Sequence, residues 1–157
     1  VAEGRARETL GCFLGGGSIE ELSKGKLAAM DLKFEEFQHV DHDLAAREFE
    51  LRYPWRPTDT NVGGGRSAMR PDGADRTLAA IEDDPRIIYL RRLKNACETV
   101  ISRMSDDQFE VYKIRYCSMV NYHWADIETI APFSHGAVYR YRYGILSALA
   151  KELGELT

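Results

Sequence analysis

Apolar residues recur at three- and four-residue steps through most of the chain, the spacing that draws a stripe down one side of an α-helix. The first such run covers residues 19–53. Met30, Phe34, Phe37, Val40, Leu44 and Leu51 form its stripe, Arg47 interrupts it, and charged residues fill the other side. The pattern predicts one long amphipathic helix, its stripe covered by another helix of the same chain or by a second copy. "YPWRP", Tyr53–Pro57, ends it. Each proline lacks a backbone donor and biases the preceding residue away from the helix. Residues 54–73 then read as a Gly/Pro-rich linker, of a length that usually signals function or mobility.

The helical period returns at Ala74–Ile81. "DDP", Asp83–Pro85, marks the next helix start, because acids suit a helix N-terminus and proline suits its first position. That helix carries Ile87, Leu90, Cys97, Val100, Ile101 and Met104. "SDDQ", Ser105–Gln108, has capping-box spacing. Phe109, Tyr112, Ile114 and Tyr116 follow on a short helix, and His123–Ile130 forms another with Trp124 and Ile127 inward. Ala131–Phe133 breaks the chain. Ser134 caps a last helix carrying Val138, Tyr141, Ile145, Leu149 and Leu153. Nothing alternates as a strand would, so the expected fold class is all-α: a long N-terminal amphipathic helix, then a four-helix domain over 74–157.

A chain of 157 residues makes one or two small domains. Its net charge of −4 argues against holding nucleic acid by overall charge, yet leaves room for a local basic face. The three cysteines, Cys12, Cys97 and Cys117, are odd in number and widely spaced, which points to a reducing cytoplasm. No apolar run approaches the ~20 residues of a membrane span, and no secretory h-region precedes the first helix, so no membrane partner is expected. Residues 1–18, ending in "GGGS", read as a leader or a vector-derived segment, with Met30 as an alternative natural start.

"SHGAVYRYR", Ser134–Arg142, changes the picture from fold to function. Two short helices joined by a tight break, the second opening at serine, describe a helix-turn-helix. Its second helix enters the major groove N-terminus first, so its first residues must be slim or polar. Gly136 and Ala137 let the backbone come close, and the N–H groups of a helix start favour phosphate. Val138 is the inward pin against Ile127. His135, Tyr139 and Arg140 point to the groove, with Arg140 the base reader, because its fork matches guanine O6 and N7. Arg142 and Tyr143 lie further along, suited to backbone phosphate. From Phe133 to Lys151 there are three basic residues and no acidic one. The blander alternative is a solvated helix end with Tyr139 and Tyr141 at the core edge.

The segment "MSDDQFEVYKIRYCSMVNYHWADIETIAPFSHGAVYRYRYGILSALAKELG" resembles the C-terminal DNA-binding region of sigma factors. Upstream, "NVGGGRS", Asn61–Ser67, resembles a motif of phage late-gene transcriptional activators of the RinA type, and the chain is similar also to ArpU-type phage regulators. The resemblance covers about Leu32 to Leu153. It implies sequence-specific binding to double-stranded DNA that activates phage packaging and structural genes in the cytoplasm of a bacterial host, with host RNA polymerase as a second partner. Residue by residue, the recognition helix carries over to Ser134, His135, Gly136, Tyr139, Arg140, Arg142 and Tyr143. The chain departs from the pattern at Pro132 in the turn, and at Asn121-Tyr122-His123 where a threonine usually precedes the tryptophan.

Other motifs point less far. "NVGGGRS" lacks the spacing, the lysine and the strand of a phosphate-binding loop, and reads as a turned connector with Arg66 near a phosphate. "HVDHD", His39–Asp43, puts His39 and Asp43 on one helix face at metal-ligand spacing, but no second cluster completes a site. Asp83-Asp84 and Asp106-Asp107 suit helix starts better than catalysis. Arg86, Arg91, Arg92, Lys94 and Arg103 share one helix with only Glu98, so they make a second phosphate surface, a polymerase-docking face or a solvated basic face. No enzyme activity, cofactor or metal is expected. One small module with few cations binds weakly, which favours a homodimer through Phe37, Val40, Leu44 and Leu51. Two other functions remain: a DNA-recognising packaging component like a small terminase subunit, and a helical protein-interaction module.

Overall fold

The computed structural model describes residues 22–55 and 72–156. The leader 1–18, Asn61–Ser67 with Arg66, and most of the linker 54–73 lie outside the described residues. The rest is α1 (Lys24–Phe37), α2 (Val40–Arg52), α3 (Asp72–Glu82), α4 (Pro85–Ser102), α5 (Asp106–Tyr112), a π-turn (Lys113–Cys117), α6 (Trp124–Ile130) and α7 (His135–Glu152). There is no strand among the described residues, and the fold class is all-α.

Local chemistry accounts for most helix ends. Asp84 caps α4 by accepting from the Arg86 and Ile87 N–H groups, with Pro85 in the first turn. Ser105 and Gln108 close the capping box of α5 in both directions. α7 ends at Gly154, whose φ of 72° is the left-handed turn that glycine adopts without strain. There the Glu155 N–H reaches back to the Ala150 carbonyl at 2.8 Å, closing a Schellman motif.

The expected single helix over 19–53 is two helices. The Gln38 and His39 N–H groups bond to the Glu35 and Glu36 carbonyls, tightening the last turn of α1. The Gln38 amide donates to the Phe34 carbonyl at 3.3 Å and to the Tyr112 hydroxyl at 3.1 Å, which fixes the bend. α2 restarts from His39 and leaves along α4.

α1 lies against α4 and α7. Met30 and Phe34 are fully buried in a core shared with Leu93, Cys97, Tyr112, Ile145, Leu146 and Leu149. Each such burial is worth about 1.5–3 kcal/mol. Burial also pushes the Tyr112 hydroxyl and the Cys97 thiol up to about 12. Val40 is buried, Phe37 packs on the same core, and Leu44 and Leu51 are half-buried. Of the four side chains expected to join two copies, Val40 is thus buried in this chain, while Phe37, Leu44 and Leu51 stay partly exposed.

Arg47, the break in the stripe, bonds Asp84 through Nε and Nη2, the latter at 2.8 Å. It ties α2 to the N-cap of α4. The guanidinium holds the Asp84 carboxyl below its ordinary value of 3.8, and Asp84 in turn raises Arg47.

Candidate nucleic-acid interface

A second, smaller core unites α5, α6 and α7. Val111, Ile127, Ala131 and Val138 are buried in it, flanked by Phe133 and Tyr141. The chain leaves α6 at Ala131, turns through Pro132 and Phe133, and starts α7 after Ser134. The Phe133 ring meets Tyr141 edge-on at 5.4 Å, and the Tyr141 hydroxyl donates to Asp107 at 2.8 Å, fastening the first turns of α7 to α5. Gly144 admits that approach, since a Cβ there would lie 3.0 Å from the Gln108 amide nitrogen.

The sequence-predicted residues divide between two sides of α7. Ser134 is the N-cap residue, but its hydroxyl makes no capping bond. Its carbonyl accepts from the Ala137 and Val138 N–H groups. Gly136 is exposed, and a Cβ added to it meets nothing within 4 Å. No internal packing demands glycine there. Tyr139 is half-exposed and Arg140 is exposed. Arg140 makes no ion pair with any described residue. His135 is exposed but held, with Nδ1 2.5 Å from Glu128 Oε2 and its ring 4.8 Å from that of Tyr139.

Arg142 is half-buried and turned toward the fold, while Tyr143 is exposed with only its hydroxyl engaged. The Arg142 guanidinium lies 4.9 Å over the Trp124 ring, and its Nε is buried without a partner. The Tyr143 hydroxyl accepts from the Leu22 N–H at 3.3 Å. The α7 turn that exposes Arg140 turns Arg142 inward onto the indole, while Tyr143 stays exposed with its hydroxyl bonded to the chain.

Sequence reasoning missed the buried polar cluster beneath this unit. The π-turn adds a residue to α5, so Val111, Tyr112, Arg115 and Tyr116 all face inward. Arg115 is 8% exposed. It donates to Glu35 at 2.5 Å and Asp31 at 3.2 Å, both on α1, and lies over the Tyr116 and Trp124 rings. Burial opposes its charge, and the two carboxylates more than offset that. Tyr116 donates to Asp31, and burial together with that carboxylate raises its hydroxyl. The only sequence signal was an arginine next to a tyrosine, "KIRYC".

All but one of the basic residues along α4 and its C-cap are paired with carboxylates. Arg86 meets Glu36 at 3.0 Å, Arg91 meets Glu48 at 3.3 Å, Lys94 meets Asp41 at 2.6 Å, and Arg103 pairs with Glu152. Arg92 donates to the Leu153 carbonyl at 2.6 Å. The "HVDHD" acids are thus used against α4, with Asp43 also 3.7 Å from Arg86. Among the described residues no group of three or more His, Cys, Asp or Glu is placed to hold a metal, and no helix is long and apolar enough to cross a membrane.

No curated protein and no solved structure matches the chain. The family described as protein of unknown function (DUF722) matches residues 37–151, a span that runs from the end of α1 through nearly all of α7, and the chain belongs to that family.

Proposed function

We propose that this protein binds double-stranded DNA in a sequence-specific manner, offering the front end of α7 to the major groove as the second helix of a helix-turn-helix, and that it activates transcription of phage late genes. The observation that carries the reading is the state of Arg140: an exposed cation without an ion pair among the described residues, one turn beyond an exposed glycine that internal packing does not require. In a chain of net charge −4, most described cations of α2 and α4 are already held by carboxylates. Arg140 reads a base edge, Tyr139 lines its path, and Gly136 gives the backbone its approach. The first N–H groups of α7 and the uncapping Ser134 hydroxyl hold phosphate. His135 buttresses Tyr139 from its seat on Glu128. The activator role rests on the resemblance to phage late-gene activators of the RinA type, carried by "NVGGGRS" together with the sigma-like C-terminal segment, and host RNA polymerase is its natural partner. The reading needs no cofactor.

Selection from a randomised duplex library with the purified full chain tests it. A defined consensus is expected, and Arg140→Ala is expected to lose preference at one or two of its positions. A library that returns no consensus, or an unchanged consensus for Arg140→Ala, overturns the reading.

A further inference from the structure

Asp31, on α1, collects three donors from the distant C-terminal half. Arg115 donates at 3.2 Å and Trp124 Nε1 at 3.0 Å, and the Tyr116 hydroxyl donates as well. The Asp31 side chain is 15% exposed, so a donor deprived of it finds little water as a substitute. Trp124 opens α6, and its ring is the platform under Arg142 of α7. Arg142 has an unpartnered buried Nε and no carboxylate. The indole face is therefore what seats it, a cation–π contact in a largely desolvated place.

Arg142 follows Arg140 by two residues and occupies the opposite side of the helix. The rotation of α7 that seats one is the rotation that offers the other. From this relay, and resting on the DNA-binding reading above, we infer that Asp31 is a positioning residue for the DNA face. It fixes Trp124, Trp124 seats Arg142, and Arg142 sets the angle at which Arg140 and Tyr139 meet the duplex. Asp31 acts through Trp124 and stays away from the duplex itself. The first described helix, remote in sequence from α7, thereby becomes part of the recognition apparatus.

The test uses the full chain carrying Trp55→Phe, which leaves Trp124 as the sole indole. Asp31→Asn, Trp124→Phe and the double variant are compared with Lys33→Met, which cuts another α1 contact, to Glu155, away from Trp124. Asp31→Asn is expected to speed exchange of the Trp124 indole proton, and to weaken binding to the selected duplex, each by about tenfold, the scale of one lost charge-assisted hydrogen bond. The double variant should bind no worse than the weaker single, because both remove the same link. Lys33→Met should change neither readout.

Unchanged indole exchange in Asp31→Asn, or losses that multiply in the double variant, would overturn the inference. If the parent chain selects no duplex, the DNA reading fails alone. Indole exchange and amide protection in the first turns of α7 then decide the positioning claim by themselves. If Asp31→Asn loses its helical circular dichroism, Trp124→Phe carries the test, since it keeps a ring beneath Arg142 and removes the N–H. Unchanged α7 amide exchange in that variant also counts against the relay.

Discussion

Two helices of this protein carry clustered basic residues, and their fates differ. On α4, Arg86, Arg91 and Lys94 each find a carboxylate from α1 or α2 within 3.3 Å. On α7, Arg140 stands exposed without such a partner among the described residues, and Arg142 rests on an aromatic ring. A paired cation brings little net field to an approaching phosphate, while an unpaired one keeps its full charge for a partner. Counting basic residues along a helix therefore misleads: α4 has more, but three of its four cations are held by carboxylates and Arg92 by the Leu153 carbonyl, while Arg140 of α7 has no such partner among the described residues.

Removing one arginine from each helix should separate the two faces most strongly. Arg140→Ala should lower affinity for the selected duplex by about ten- to a hundredfold, the worth of a good base contact. Arg91→Ala should leave it unchanged. Equal losses in a binding titration would erase the distinction.

The next effect concerns stability. Arg47→Ala should lower the melting temperature by a few degrees without changing duplex affinity, because it strips the partner from the α4 N-cap. The pH dependence follows from Asp84, whose carboxyl is held below its ordinary value chiefly by Arg47. A depressed folded-state value means the stabilisation is complete above the unfolded value of 3.8 and is lost as pH falls below it toward the folded value. Thermal melts between neutral pH and pH 3 should thus show a steeper acid decline for wild type than for Asp84→Asn.

Gly136→Ala should move two quantities in opposite directions. Helix propensity should raise stability by about 0.5 kcal/mol, since the new methyl meets nothing. Duplex affinity should fall several-fold as the methyl obstructs backbone approach. A variant that is more stable and binds as well would remove Gly136 from the interface. The smallest change is expected for Lys151→Ala, at the exposed far end of α7. It should leave duplex affinity unchanged, because the groove contacts lie at the other end of the helix.

Much of the fold was legible because its signals are local. Asp84-Pro85, Ser105 with Gln108, and the Ala131–Ser134 break each act within a few residues, and the structure places helix ends at all of them. The α1–α2 bend was hidden, because it uses no glycine or proline and keeps Phe37 and Val40 at helical spacing. Its cause is the Gln38 amide meeting Tyr112, a contact across 74 positions. Arg47 looked like a flaw in a stripe for the same reason: Asp84 lies 37 residues away. The α4 basic face stayed ambiguous in the sequence because its acids come from distant helices, Glu36, Asp41 and Glu48 upstream and Glu152 downstream. Of the α7 residues, periodicity placed Val138 inward and left Tyr139 and Arg140 outward. It could not tell that Arg142 would find an indole and Tyr143 the backbone of Leu22.

The bond between Leu22 and Tyr143 spans 121 positions, and α1 and α7 supply much of one shared core. A nascent chain emerging from the ribosome therefore presents α1 long before its cover exists. Met30 and Phe34 stay wet until α7 clears the exit tunnel, so the early part of synthesis exposes a sticky surface of the kind chaperones capture. Closure of such distant segments is slow relative to local helix formation. Competence to bind should accordingly arrive all at once, late in synthesis, and never by halves.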